Sequence, residues 1–149
     1  MSATPQYPQF DTASVRPRLL IADDDPVARS ALSIQLGADF ELVGTAKDAE
    51  EAIAVAEQQE PDVAIIDVQM PAGGGLRATR EIHARVPHTA IVILSIDEQH
   101  ESVVELLNAG AMSYCRKGIP AHELTANLQM AIAAHARQAS PEQAPPAET

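Results

Sequence analysis

A single cysteine, Cys115, is all the sulfur nucleophile the chain carries, so no intramolecular disulfide can form. Cations are scarce as well: ten Lys plus Arg stand against 21 Asp plus Glu, a formal charge of −11. That sign is opposite to what a phosphate-backbone binder needs, and direct nucleic-acid binding by this segment is not expected. No apolar run approaches the ~18–20 residues of a membrane-spanning helix, which excludes that kind of membrane partner. The opening MSATPQYPQF has no apolar leader core, and no internal repeat is visible. A soluble protein of a reducing cytoplasm is the expectation.

What is present is a regular alternation. The 149 residues suit one domain, which at this size buries about 68–70% of the unfolded chain's surface. Short aliphatic runs separated by helix-like stretches read as parallel strands covered on both faces. The first is RLLIA, followed by a helix from Pro26 with Asp25 as N-cap and Gly37 as its stop. A strand near residues 40–44 leads to a helix whose Ala49, Ala52, Ile53 and Ala56 share one face before Pro61. Residues 63–66 form the third strand and deliver Asp67; the loop VQMPAGGG and a helix with Leu76, Thr79, Ile82 and Val86 follow. The fourth strand, residues 90–94, ends at Ser95, and Val103, Leu106 and Leu107 give the next helix an apolar face closed by Asn108-Ala-Gly110. A strand at 112–115 and a helix at about 120–136, with Leu124, Leu128, Ala131 and Ile132 on one face, complete an alternating (βα)5 sheet. The boundaries expected are a disordered tail over 1–16, one domain over 17–137 and a disordered Pro-rich tail over 138–149.

Asp23, Asp24, Asp67, Ser95 and Lys117 each lie just past a strand, and in open α/β sheets that carboxyl edge is the ligand crevice. Three gathered carboxylates repel unless a cation sits among them, and an all-oxygen set without paired His or Cys suits Mg²⁺. Asp67 beside such an ion is a nucleophile toward phosphorus. The Lys117 ammonium and the Ser95 hydroxyl supply fixed positive partners for phosphoryl oxygens.

These segments closely resemble the receiver domains of bacterial two-component response regulators. LLIADDDPVAR is similar to the family's opening strand and acidic pair, DVAIIDVQMPAGGGL to its phosphoacceptor segment, IVILS to its hydroxyl-bearing strand and GAMSYCRKG to its lysine strand. The resemblance spans about residues 18–136 and implies a CheY-like, flavodoxin-like doubly wound fold with strand order 2-1-3-4-5. It also implies phosphorylation of Asp67, metal binding by Asp23, Asp24, Asp67 and the Gln69 carbonyl, phosphoryl contacts from Ser95 and Lys117, and a switch formed by Ser95 and Tyr114. A sensor histidine kinase or phosphotransfer protein would be the donor. The surface of the fourth helix, last strand and last helix would then meet a downstream protein target or a second copy in a phosphorylation-dependent homodimer. The output is a changed surface, so the chain is expected to be a signalling module that catalyses only its own modification.

Departures from the pattern are Gly118, where many receivers have Pro, and Gly73-Gly74-Gly75, which should loosen the loop beside Asp67. IPAHEL resembles the subgroup fused to a helix-turn-helix output domain, which leaves open a stand-alone protein or a piece of a longer regulator. Gln69 and Asp97 occupy positions that tune attack by water in the resemblance. An enzyme alternative also fits the opening strand: Asp23-x-Asp25-x-Val27 matches the haloacid-dehalogenase-type phosphatase pattern, with Asp23 as nucleophile. His83, His88, His100, His122 and His135 show no ligand pairing and read as surface or partly packed residues, and Cys115 as a buried strand residue.

Overall fold

The computed structural model describes residues 15–96 and 100–139; the outer parts of both expected tails, and Asp97, lie outside the described residues. The elements run β1 (Arg18–Ala22), α1 (Pro26–Leu36), β2 (Glu41–Ala46), α2 (Ala49–Gln59), β3 (Val63–Asp67), α3 (Gly74–Arg85), β4 (Ala90–Ser95), α4 (His100–Ala109), β5 (Ser113–Arg116) and α5 (Ala121–Ala139). All strand pairs are parallel, in the order β2-β1-β3-β4-β5.

Alternation along the strands divides the interior in two. Leu20, Ala22, Ala64, Ile66, Ile91 and Ile93 face α2, α3 and α4, where Ala52, Ile82 and Leu106 meet them. Leu19, Ile21, Val63, Ile65, Val92 and Leu94 face α1 and α5, where Leu36, Leu124 and Leu128 meet them. β1, β3 and β4 are therefore aliphatic on both faces, and each fully buried Leu or Ile contributes about 1.5–3 kcal/mol.

Aspartate side chains cap two helices, the first of them as expected. The Asp25 carboxylate accepts from Val27 N–H at 3.0 Å to start α1, with Pro26 at its first position. Asp48 accepts from Glu51 N–H at 2.8 Å to start α2. The structure moves several boundaries. β2 runs from Glu41 to Ala46 rather than over 40–44, because its pairing with β1 shifts register between Leu19 and Leu20 and the strand continues through Gly44. A Cβ on Gly44 would stand 2.6 Å from Val55 Cγ1, so glycine lets α2 lie close over the strand. Val86 is the cap of α3 rather than part of it, its N–H donating to Ile82 O at 2.7 Å. β5 starts at Ser113, one residue later than expected, although Met112 N–H already donates to Ile91 O of β4 at 2.7 Å.

Two side-chain expectations change. Leu107 does not join Leu106 in the core; it and Val104 are exposed, so the buried face of α4 is narrow. His135 was expected at the surface or partly packed. It is buried, and its Nε2 donates to Pro87 O at 2.6 Å, tying α5 to the loop before β4. α5 carries on past that anchor to Ala139, beyond the expected end at 136. Cys115 is buried as expected, and burial, aided by the Glu123 charge, pushes its thiol above the usual value. Among the described residues no helix is long and apolar enough to cross a membrane.

Candidate phosphoacceptor site

Three parallel strands end side by side, and the residue at or just past each end is polar. Asp23 follows β1, Asp67 closes β3 and Ser95 closes β4; Lys117 follows β5 and donates its own N–H to Ser95 O at 3.0 Å. Asp23, Asp67 and Ser95 are 1%, 6% and 5% exposed, so the sheet rather than a loop fixes their backbones. Asp23 is held from several sides. Its N–H donates to Ala46 O at 2.9 Å, its Oδ1 accepts from Asp25 N–H at 2.9 Å, and its carbonyl accepts from Arg29 Nη1 at 2.7 Å.

The Lys117 ammonium joins the two buried carboxylates. Nζ stands 2.9 Å from Asp23 Oδ2 and 3.3 Å from Asp67 Oδ2. The first contact is an ion pair without hydrogen-bond alignment, since Asp23 Oδ2 is buried with no hydrogen-bond partner. Burial, reinforced by the Asp23 charge and only partly offset by Lys117, pushes Asp67 up to about 6. Burial disfavours the Lys117 charge, but Asp23 and Asp67 outweigh it and hold the ammonium above the ordinary lysine value.

One carboxylate oxygen from each of Asp23, Asp24 and Asp67 lies within 4.8 Å of the others. This set fits a divalent cation: three carboxylates, two of them buried, face one another with the Lys117 ammonium as shared counter-charge, and one further cation would offset the burial and the Asp23 charge that raise Asp67. A cleft of about 180 Å³ opens beside the set, lined by Asp24, Asp67, Gln69, Ser95, Ile96 and Lys117. All the strand-edge residues expected from sequence therefore meet at one place. Tyr114 is different: it is half-buried in β5 and packs with the α2–α4 side of the core. Ile96 and Arg29 were missed. Ile96 is a 75% exposed aliphatic at the rim of the cleft, and its place directly after Ser95 was the available signal. Nothing in the sequence pointed to Arg29.

The loop after Asp67 is well tied down, unlike the loosened segment expected from its three glycines. Gly75 N–H donates to Val68 O at 2.8 Å, Ala49 N–H to Pro71 O at 3.1 Å and Val68 N–H to Leu94 O at 3.2 Å. Gly75 is there for space: a Cβ would stand 2.7 Å from Asp67 O and 2.8 Å from Val68 Cα.

A doubly wound α/β sheet with an acidic pair, a strand-end aspartate, a strand-end hydroxyl and a lysine at one edge defines a class of phosphoryl-receiving domains. The sequence profile of the response regulator receiver domain matches residues 19–129, and the chain belongs to that family. It is 38% identical over 109 residues to the uncharacterized transcriptional regulatory protein YxjL of Bacillus subtilis, covering 72% of this chain and 50% of that one. It is 36% identical over 121 residues to the transcriptional regulatory protein PdtaR of Mycobacterium tuberculosis, covering 80% and 58%. The chain thus spans about half the length of these relatives. Among solved structures, a two-component response regulator of the LuxR family from Aurantimonas superposes with TM-score 0.76 at 25% identity, covering 80% of this chain and 87% of that one. The response regulator domain of CheB from Thermotoga maritima gives 0.73 at 27%, covering 80% and 98%.

Receiver domains are signalling modules that take phosphoryl groups from histidine kinases and regulate output domains. The phosphatase alternative is not supported. The family match is to the receiver domain, and Asp25 of that pattern is exposed and caps α1, as expected from the sequence.

Proposed function

We propose that Asp67 is the phosphoacceptor of this domain and that its modification is the signal. The observation carrying this is the Lys117 ammonium shared between Asp67 Oδ2 at 3.3 Å and Asp23 Oδ2 at 2.9 Å, at the mouth of a cleft that also holds Asp24 and Ser95. An Asp67 carboxylate oxygen attacks the phosphorus of a phosphohistidine; the new P–O bond forms as the P–N bond breaks, and the departing imidazole keeps the electron pair and takes a proton from solvent. Lys117 balances charge on the transferred oxygens and Ser95 donates a hydrogen bond to one of them. Asp23, Asp24, Asp67 and the Gln69 carbonyl would hold Mg²⁺, which would neutralise charge on the transferring group.

The domain proper is taken as residues 17–137. Its donor is a sensor histidine kinase or phosphotransfer protein of the cytoplasm. Ser95 and Tyr114 carry the change to the surface of α4, β5 and α5, which engages a protein target or a second copy. Such a change amounts to a population shift biased by the phosphoryl charge. Water then hydrolyses the acyl phosphate and resets the domain.

The direct test is intact-protein mass spectrometry after incubation with acetyl phosphate or phosphoramidate and Mg²⁺. Wild type is expected to gain one acid-stable, base-labile phosphoryl group that Asp67→Asn does not. Labelling that survives Asp67→Asn but requires Asp23 would sink this assignment.

A further inference from the structure

The loop between Asp67 and α3 is strained in a way its glycines only partly explain. Ala72 adopts φ +66°, a left-handed conformation that costs a non-glycine residue about 1–2 kcal/mol, and Gly73 follows at φ +101°. Something outside the loop must hold it. Arg77, one turn into α3, folds back beneath it: Nη1 donates to Ala72 O at 3.0 Å and pairs with Glu50 Oε1 on α2 at 2.8 Å. The Arg77 stem lies where a side chain at position 73 would be. A Cβ on Gly73 would stand 2.7 Å from Arg77 Cδ and 2.8 Å from its Cβ. Gly73 and Arg77 are therefore a matched pair, the missing side chain of one making room for the other.

We propose that Arg77 is a positioning residue for the phosphoacceptor site, a strap that fixes the segment 69–73 and with it Gln69, which lines the cleft beside Asp67. The proposal rests on the reading of that site as a Mg²⁺ and phosphoryl site. The chain of contact is short. Glu50 anchors the guanidinium and the guanidinium holds Ala72 O. The neighbouring Pro71 O is held by Ala49 N–H, from the residue next to Glu50, so both ties run from the start of α2 to the loop. As an exposed ion pair alone, Arg77–Glu50 would be worth little. Its effect comes through the Ala72 carbonyl it holds, which lies on the same short loop as Gln69.

The structure contains its own control. Arg85, on the same helix, pairs with Glu57 at 3.1 Å and Glu81 at 3.0 Å in the same exposed fashion, and none of its contacts is to the loop. Mg²⁺ affinity by calorimetry, the rate of labelling by acetyl phosphate and the thermal midpoint would be measured for wild type, Arg77→Met, Arg77→Lys and Arg85→Met. Arg77→Met should bind Mg²⁺ about threefold to tenfold more weakly and label more slowly by a similar factor, the low end of what outer partners of a metal site contribute. Arg77→Lys should recover part of both, and Arg85→Met should match wild type in both whatever its midpoint. Wild-type Mg²⁺ affinity in Arg77→Met, or equal weakening in Arg85→Met, overturns the strap. A wild type that takes neither Mg²⁺ nor a phosphoryl group overturns the site reading and the strap with it.

Discussion

Lys117 Nζ lies 3.3 Å from Asp67 Oδ2 although Asp67 closes β3 and Lys117 follows β5, with β4 between the two strands. Without a metal, that ammonium is the cation holding Asp67 and Asp23 together, and the balance it keeps is incomplete, since Asp67 remains raised to about 6. Several measurable consequences follow from this relationship and from its surroundings.

The Asp67 contribution to stability should fall with rising pH across the acid range in metal-free buffer. Asp67 titrates near 3.8 when unfolded and near 6 when folded, so the folded state holds the proton more tightly. The contribution is fully present below about 4 and is lost as pH rises through about 6. Asp67→Asn should remove this dependence and stabilise the domain at pH 7 by about 1–3 kcal/mol, read as a higher thermal midpoint and a flatter profile from pH 4 to 8. An unchanged slope would refute the buried-charge account.

Mg²⁺ should act on the wild type much as Asp67→Asn does. Millimolar Mg²⁺ is expected to raise the wild-type midpoint at pH 7 and to leave Asp23→Asn nearly unmoved, because Asp23 is the most deeply buried of the three clustered carboxylates. Equal shifts in the two proteins would place the metal elsewhere.

Lys117→Met separates cation from carboxylates. Without metal it should lose about 2 kcal/mol at pH 7, as two buried like charges face each other, and it should gain more from added Mg²⁺ than wild type does. Labelling by acetyl phosphate should drop at least about tenfold, because the fixed charge opposite the transferred oxygens is gone. Denaturant melts with and without Mg²⁺, together with mass spectrometry, check both halves.

Two glycine substitutions should differ in kind. Gly75→Ala forces a Cβ to 2.7 Å from Asp67 O and should cost at least about 3 kcal/mol while disturbing labelling. Gly118→Ala meets nothing within 4 Å, and only its φ of +93° opposes it, so about 1 kcal/mol is expected. Urea unfolding of the two variants gives the comparison.

The sheet was legible because its strands are buried on both faces: RLLIA, VAIID and AIVILS admit few readings other than central parallel strands. The site was legible for the same reason, since strand ends converge wherever the strands do. β2 was harder because only Ala46 of its six residues is buried and Gly44 interrupts the aliphatic signal. Leu107 was misplaced because α4 has apolar residues at 103, 104, 106 and 107 and helical spacing alone does not say which pair turns inward. His135 was misread because its role depends on Pro87 O, a backbone atom far away in sequence. The tied-down loop was invisible for a related reason: Arg77 and Gly73 fit each other in space, and composition registers only three glycines.

The order β2-β1-β3-β4-β5 has a consequence for how the domain comes into being. During translation Asp23, Asp24 and Asp67 leave the ribosome well before Lys117, so the carboxylates wait for their counter-charge until β5 is made and docks on β4. A nascent chain halted after β4 can build much of the sheet, but it holds a site with its lysine missing. The charge balance of the strand edge is therefore a property of the finished domain.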